Sequence, residues 1–252
     1  MNQKILIPII IICFHFLSFP RLAKADDVLS KIALANDLTL KSNYQEALSI
    51  FRKLTSGNYE NAYVYYNIAN IYYRLGKIEN SILFYIRAKQ LAPRDQNIAA
   101  NFRFAVSKTK DKIYEVPVPF LNKILVWLDD FEFWELIEIF LLVNTLFWFF
   151  QILNIWIKTE LIKTFKMGTA ILLVVMVASI GTELYYQKNY MTGVTMEEQI
   201  EIKSGQGANN ITLFKLHKGA IVRILSEENG WYKIQLPDKK NGWAPKKTIS
   251  KV

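Results

Sequence analysis

The chain has 252 residues, 52% of them hydrophobic, and a formal net charge of +9. Its single cysteine, Cys13, lies inside the first apolar run, so removal of that run excludes disulfide frameworks and cysteine-based metal sites. The basic residues are scattered and form no Lys/Arg block of the kind that tracks a phosphate backbone, which argues against nucleic acid as a partner. Apolar residues crowd instead at 5–19, 136–157 and 167–186, a distribution that suits several small modules better than one large core.

Residues 1–25 read as an export signal. Lys4 supplies a short positive region, Ile5 to Phe19 an apolar core, and Ala23-Lys24-Ala25 a small-residue cleavage site before Asp26. The alternative is an uncleaved anchor, and both readings place the following chain outside the cytoplasm.

Residues 26–110 read as helical repeats. Laid over itself at a spacing of 34 residues, the chain aligns Leu34-Ala35 with Ile68-Ala69, Leu38 with Tyr72, Ala47 with Ser81 and Phe51 with Tyr85. A self-match at this period marks a repeat architecture. Tyr65, Ile68-Ala69, Tyr72, Gly76, Ser81, Tyr85, Ala88 and Pro93 resemble the tetratricopeptide (TPR) pattern, with a weaker first unit in which Leu54 replaces the second-helix alanine. Small residues at Ala35, Ala47, Ala69 and Ala88 let paired helices approach, and Pro93 ends the second helix. Ile98, Phe102 and Val106, at helical spacing, predict a capping helix over 96–109. The resemblance implies a concave groove for a peptide or partner segment, with Tyr63, Tyr66, Asn67, Asn70, Tyr73 and Arg74 as candidate lining residues. The tyrosines serve inter-repeat packing equally well. The two asparagines, poor helix formers on a first helix, point more to a ligand.

Residues 111–135 form a linker and interfacial segment, with Val116-Pro117-Val118-Pro119 favouring extended chain. Residues 136–157 and 167–186 then read as two transmembrane helices. The first would be about 33 Å long, enough for a bilayer core of roughly 30 Å. Asn144, Gln151 and Asn154 are polar breaks in it, and Gly168, Ala170, Ala178, Ser179 and Gly181 in the second suit close helix packing. The connection 158–166 carries Lys158, Lys163 and Lys166, which predicts a cytoplasmic loop, with the repeats and the C-terminal module on the other side.

Residues 194–252 change to short alternating runs broken by turn signals: Ile200–Lys203, Leu213–Leu216, Ala220–Leu225 and Trp231–Leu236. Leu216-His217-Lys218-Gly219, Gly230-Trp231-Tyr232-Lys233-Ile234 and Asn241-Gly242-Trp243-Ala244-Pro245 resemble a bacterial SH3 domain. The resemblance implies recognition of wall peptides, glycans or a protein segment. His217, Tyr232, Lys233 and Trp243 are candidate groove residues, while Trp231 and Trp243 also read as core.

No phosphate loop, zinc-protease helix or nucleophile elbow occurs, and the expectation is a protein that is not an enzyme and holds no cofactor or metal. The expected fold class is a multidomain membrane protein: all-α TPR-like repeats, a transmembrane helical hairpin and an all-β SH3-like barrel. That order of modules resembles the BatE family of aerotolerance operons. The resemblance implies a periplasm-facing scaffold at the bacterial inner membrane in a complex tied to oxidative stress tolerance. Its implied partners are von Willebrand A-domain membrane proteins, other Bat proteins and a MoxR-type ATPase. Peptidoglycan binding through the barrel is the alternative.

Overall fold

The computed structural model describes residues 25–57, 59–114, 125–189 and 191–252. The expected export signal, apart from Ala25, and the X-Pro linker Val116–Pro119 lie outside these residues. The chain divides into two units: Ala25–Asp130 with Tyr185–Val252, and one that includes Phe131–Leu184.

The first unit opens with five helices: α1 (Ala25–Leu40), α2 (Tyr44–Ser56), α3 (Ala62–Arg74), α4 (Ile78–Leu91) and α5 (Gln96–Ser107). Their ends follow from local chemistry. Asn61 caps α3 by accepting the Val64 N–H at 3.1 Å, and Asp95 caps α5 by accepting from Asn97 and Ile98. Helix α3 stops where Gly76 takes φ +74°, its N–H reaching the Tyr73 carbonyl while the Lys77 N–H reaches Tyr72. This is the left-handed terminus that glycine adopts at least cost. Ser42, 34 residues earlier, makes the same turn at φ +62° and adopts it without glycine's freedom.

The repeat core is the one the alignment picks out. Ala35, Ala47, Phe51, Ile68, Ala69, Ile82 and Ala88 are fully buried, with Phe84 packed between Tyr65 and Tyr72. Each large apolar side chain so buried contributes about 1.5–3 kcal/mol. Leu34 departs from the pattern: aligned with the fully buried Ile68, it is itself 52% exposed. Among the described residues, helix α1 is the outermost of the array. Helix α5 supplies the cap at the other end through Ile98, Phe102 and Val106.

The C-terminal part of this unit is a seven-stranded antiparallel sheet: β1 (Met191–Thr195), β2 (Gln199–Lys203), β3 (Thr212–His217), β4 (Ile221–Glu228), β5 (Trp231–Gln235), β6 (Asn241–Pro245) and β7 (Ile249–Lys251). The order is β3-β2-β6-β5-β4-β1-β7. Leu216 from one end strand and Ile249 from the other share a core with Ile200, Ile202, Val222, Ile224, Tyr232 and Ile234, so the sheet curls around a single interior. The β4–β5 hairpin turns at Asn229 and Gly230, both with positive φ, as a two-residue Asn-Gly hairpin requires. Strands β1, β6 and β7 extend the module beyond the four runs read from the sequence. They are short, and β1 follows a helix with no intervening turn signal.

The second unit holds α6 (Phe133–Trp156) and most of α7 (Glu160–Asn189), helices long and apolar enough to cross a membrane. Leu142, Phe149, Ile171, Val174 and Val177 leave their surfaces exposed, unlike the core helix of a soluble domain. The loop expected over 158–166 is shorter, because α7 begins at Glu160. There Lys163 pairs with Glu160 at 2.7 Å, and no Pro or Gly interrupts residues 158–167. Phe165, inside that former loop, stacks on Phe150 of α6 with ring centroids 5.2 Å apart.

Candidate functional site

Helices α1, α3 and α5 present one face to one another, and polar side chains bridge it. The Asn36 amide donates to the Tyr63 hydroxyl at 3.0 Å, and the Asn67 amide donates to Asn36 at 3.4 Å. One turn away, Asn101 donates to the Tyr66 hydroxyl at 2.8 Å and to Asn70 at 3.3 Å, while the Tyr85 hydroxyl donates to the same Asn70 oxygen at 2.5 Å. Asn36 and Asn70 stand 34 residues apart, as do Asn67 and Asn101. The repeat period thus builds an amide ladder across the three helices.

The ladder separates the expected lining residues. Tyr63 is 51% exposed and open to a ligand. Tyr66 packs its ring against Tyr85 at 6.0 Å, and Tyr73 packs against Phe104 at 5.6 Å, so both are partly committed to packing. Arg74 turns to Tyr44, donating to its hydroxyl at 3.2 Å. Hydrogen bonds with Ser42 and then Arg74 hold the Tyr44 hydroxyl below its usual pKa. Tyr85 is 2% exposed, and burial pushes its hydroxyl up to about 12. Asn36, Asn101 and Tyr85 were not among the sequence candidates. The 34-residue spacing of the asparagines was the signal that could have found them.

The barrel does not stand free of the repeats. Val194 of β1 and Ile221 of β4 belong to the same buried cluster as the repeat core, with Met196 and Val252 packed against it. This explains why Ile221, Val222, Arg223 and Ile224 are all buried. Val222 and Ile224 fill the barrel, while the other face of the strand meets the helices, and a strand covered on both sides carries an unbroken run. Gly219, at φ +81°, lies so close that a Cβ there would sit 2.7 Å from Thr109 Cγ2 and 3.1 Å from Ile82 Cδ1. Arg87 of α4 donates to the Lys251 carbonyl at 3.2 Å.

Two of the four expected barrel groove residues are used otherwise. His217 sits at this junction: its backbone N–H and ring Nδ1 both meet the Asp111 carboxylate, at 2.6 and 2.9 Å. The Lys110 ammonium lies 2.9 Å from its Nε2. Tyr232 is 2% exposed and belongs to the barrel core, since it alternates inward between Trp231 and Lys233. Lys233 and Trp243 are partly buried and directly opposite each other on β5 and β6. Trp231 lies on the same outward face opposite Pro245, so neither tryptophan is a core residue.

Residues 198–250 match the bacterial SH3 domain family. Residues 62–95, the second repeat, match the tetratricopeptide repeat. No curated protein matches the chain. The matched regions correspond to β2–β7 and to the α3–α4 hairpin, and both families are interaction modules with no catalytic chemistry of their own. The candidate residues lie on two surfaces of these modules: the amide ladder on the repeats and the outward face of the barrel.

Proposed function

We propose that this chain is a membrane-anchored protein-interaction scaffold whose helical repeats receive an extended segment of a partner along the α1–α3–α5 face. The observation that carries this reading is the ladder of Asn36, Asn67, Asn70 and Asn101. Side-chain amides both donate and accept, and so match the alternating N–H and C=O groups of an extended backbone whatever its sequence. Tyr63 and Phe104, both more than half exposed, flank them with apolar area for the partner's side chains.

The docking of barrel and repeats supports a single-sided arrangement. The two apolar helices come between these modules in the chain, and an even number of spans leaves the segments before and after them on one side of a membrane. Lys158, Lys163 and Lys166 in and beside the α6–α7 turn favour its placement in the cytoplasm. Repeats and barrel then face the periplasm, in keeping with the export signal read at 1–25. The resemblance to the BatE family adds the finer proposal of an inner-membrane complex tied to oxidative stress tolerance, with von Willebrand A-domain membrane proteins and other Bat proteins as partners.

The test is in-cell crosslinking followed by detergent pull-down and mass spectrometry, with wild type and Asn67→Ala, before and after wall digestion. Recovery of von Willebrand A-domain proteins that survives digestion and falls with Asn67→Ala is the expected outcome. Association that vanishes on digestion, with no protein left, would overturn the scaffold and favour the second reading: peptidoglycan binding by the barrel, which its SH3 match and the outward Trp243 support.

A further inference from the structure

The outward face of the barrel carries a row of partly exposed side chains. Strands β2, β6 and β5 run side by side there, and Lys203, Trp243 and Lys233 are cross-strand partners in one row. Trp231 and Pro245 form the next pair on the same face. The inward residues between them, Tyr232, Ile234, Gly242 and Ala244, are buried, so the pleat holds both indoles outward on a rigid support.

The module that carries this row has an excess of positive charge. Residues 191–252 carry ten lysines and arginines against six aspartates and glutamates. Most of those carboxylates are already engaged: Glu198 by Lys218, Glu201 by Lys203 and Lys215, Glu227 by Lys246 and Lys251, Asp238 by Lys240, and Glu228 by Gln206. Among the described residues, Lys233 and Lys247 have no carboxylate within ion-pair distance. Lys233 faces Trp243, and Lys247 lies two residues beyond Pro245. Lys203 is braced by Glu201 at 2.6 Å and by the Thr212 hydroxyl at 2.8 Å, which fixes one side of the row.

We propose that this face is a second recognition surface, which takes an acidic extended peptide segment of a partner protein. Its apolar side chains would lie on Trp231 and Trp243, and its carboxylates would meet Lys233 and Lys247. Aromatic area supplies the contact and cation excess selects the sign of the partner. This surface does not depend on the repeat groove.

The experiment uses the full chain in neutral-lipid nanodiscs and a labelled ten-residue peptide of alternating Glu and Val, read by fluorescence anisotropy at low and moderate salt. Binding is expected to weaken at least tenfold in both Lys233→Glu and Trp243→Ala. It should persist in Trp243→Phe and in the charge-matched control Lys53→Glu on α2. A peptide with Gln in place of Glu that binds equally well would overturn the proposal. So would a loss in Lys53→Glu as large as that in Lys233→Glu, which is bulk charge alone. Trp243-dependent sedimentation with purified wall, without peptide binding, would likewise overturn it and assign the face to the wall. Thermal melts of each variant separate lost binding from lost folding.

Discussion

The Asp111 carboxylate accepts from His217 twice, from the backbone N–H at 2.6 Å and from ring Nδ1 at 2.9 Å. Lys110 approaches the opposite ring nitrogen, so the ring proton sits on Nδ1 and the lysine donates to Nε2. The residue that follows the helical cap thereby clasps the start of the barrel's tight turn. Both side chains are about four-fifths buried. Asp111→Ala strips a partly buried N–H of its acceptor, and the expected cost is about 1–3 kcal/mol. Denaturation of the purified chain should show it, with faster amide exchange confined to β3 and the end of α5. Asp111→Asn keeps an acceptor and should cost less.

Gly219 tests the docking more sharply. Any side chain there meets Thr109 and Ile82 and must also adopt φ +81°. Gly219→Ala should destabilise by roughly 2–4 kcal/mol, from overpacking and the left-handed backbone together. Thr109→Ser removes the methyl in the way, so the double variant should recover part of the loss and leave the backbone share. Equal melting of single and double variants would mean that the modules do not meet there.

Ser42 occupies the position at which the second repeat uses Gly76. Ser42→Gly should raise stability by about 1 kcal/mol, since a non-glycine residue pays roughly 1–2 kcal/mol in the left-handed region. Gly76→Ser should lower it by a similar amount. Equilibrium unfolding of the two variants against wild type checks both signs.

The two groove asparagines are not equivalent. Asn70 accepts from the buried Tyr85 hydroxyl, so Asn70→Ala orphans that group at a cost of about 1–3 kcal/mol. Asn67 donates to the half-exposed Asn36 and can be removed with little loss of stability. Asn67→Ala is expected to weaken partner capture at near-wild-type melting temperature, and Asn70→Ala to lower both.

Two groups set opposite ends of a pH profile. Burial raises the Tyr85 hydroxyl to about 12 from an unfolded value of 10. The native state therefore holds that proton where the unfolded state has lost it. This contribution is complete below pH 10 and falls as the pH rises toward 12. Lys246 and Lys251 hold the Glu227 carboxyl below its usual value, so its small surface contribution is present above pH 4.5 and fades as the pH drops. Tyr85→Phe should flatten the alkaline limb of a melting curve measured across pH and leave the acid limb unchanged.

The order of the modules and much of their interior were legible in the sequence, because periodicity is a local property. A 34-residue repeat places Ala35 and Ala69 at the same contact, apolar runs mark α6 and α7, and Gly-Trp pairs mark strand entries. Where the local signal was silent, tertiary packing decided. Leu34 is exposed because α1 is the outermost described helix of the repeat array, and the turn between α6 and α7 is short because residues that read as a charged loop also form good helix.

Recognition of strands and helices depends on neighbours a few residues away, and the sequence determined that much. The docking of repeats and barrel depends on residues far apart in the chain: Asp111 with His217, Thr109 and Ile82 with Gly219, Arg87 with Lys251. No periodicity relates those pairs. Only the folded chain reveals that His217 and Tyr232 are committed to structure, that Trp231 and Trp243 face outward, and that four asparagines form one ladder, because burial and hydrogen bonding are properties of the packed surface.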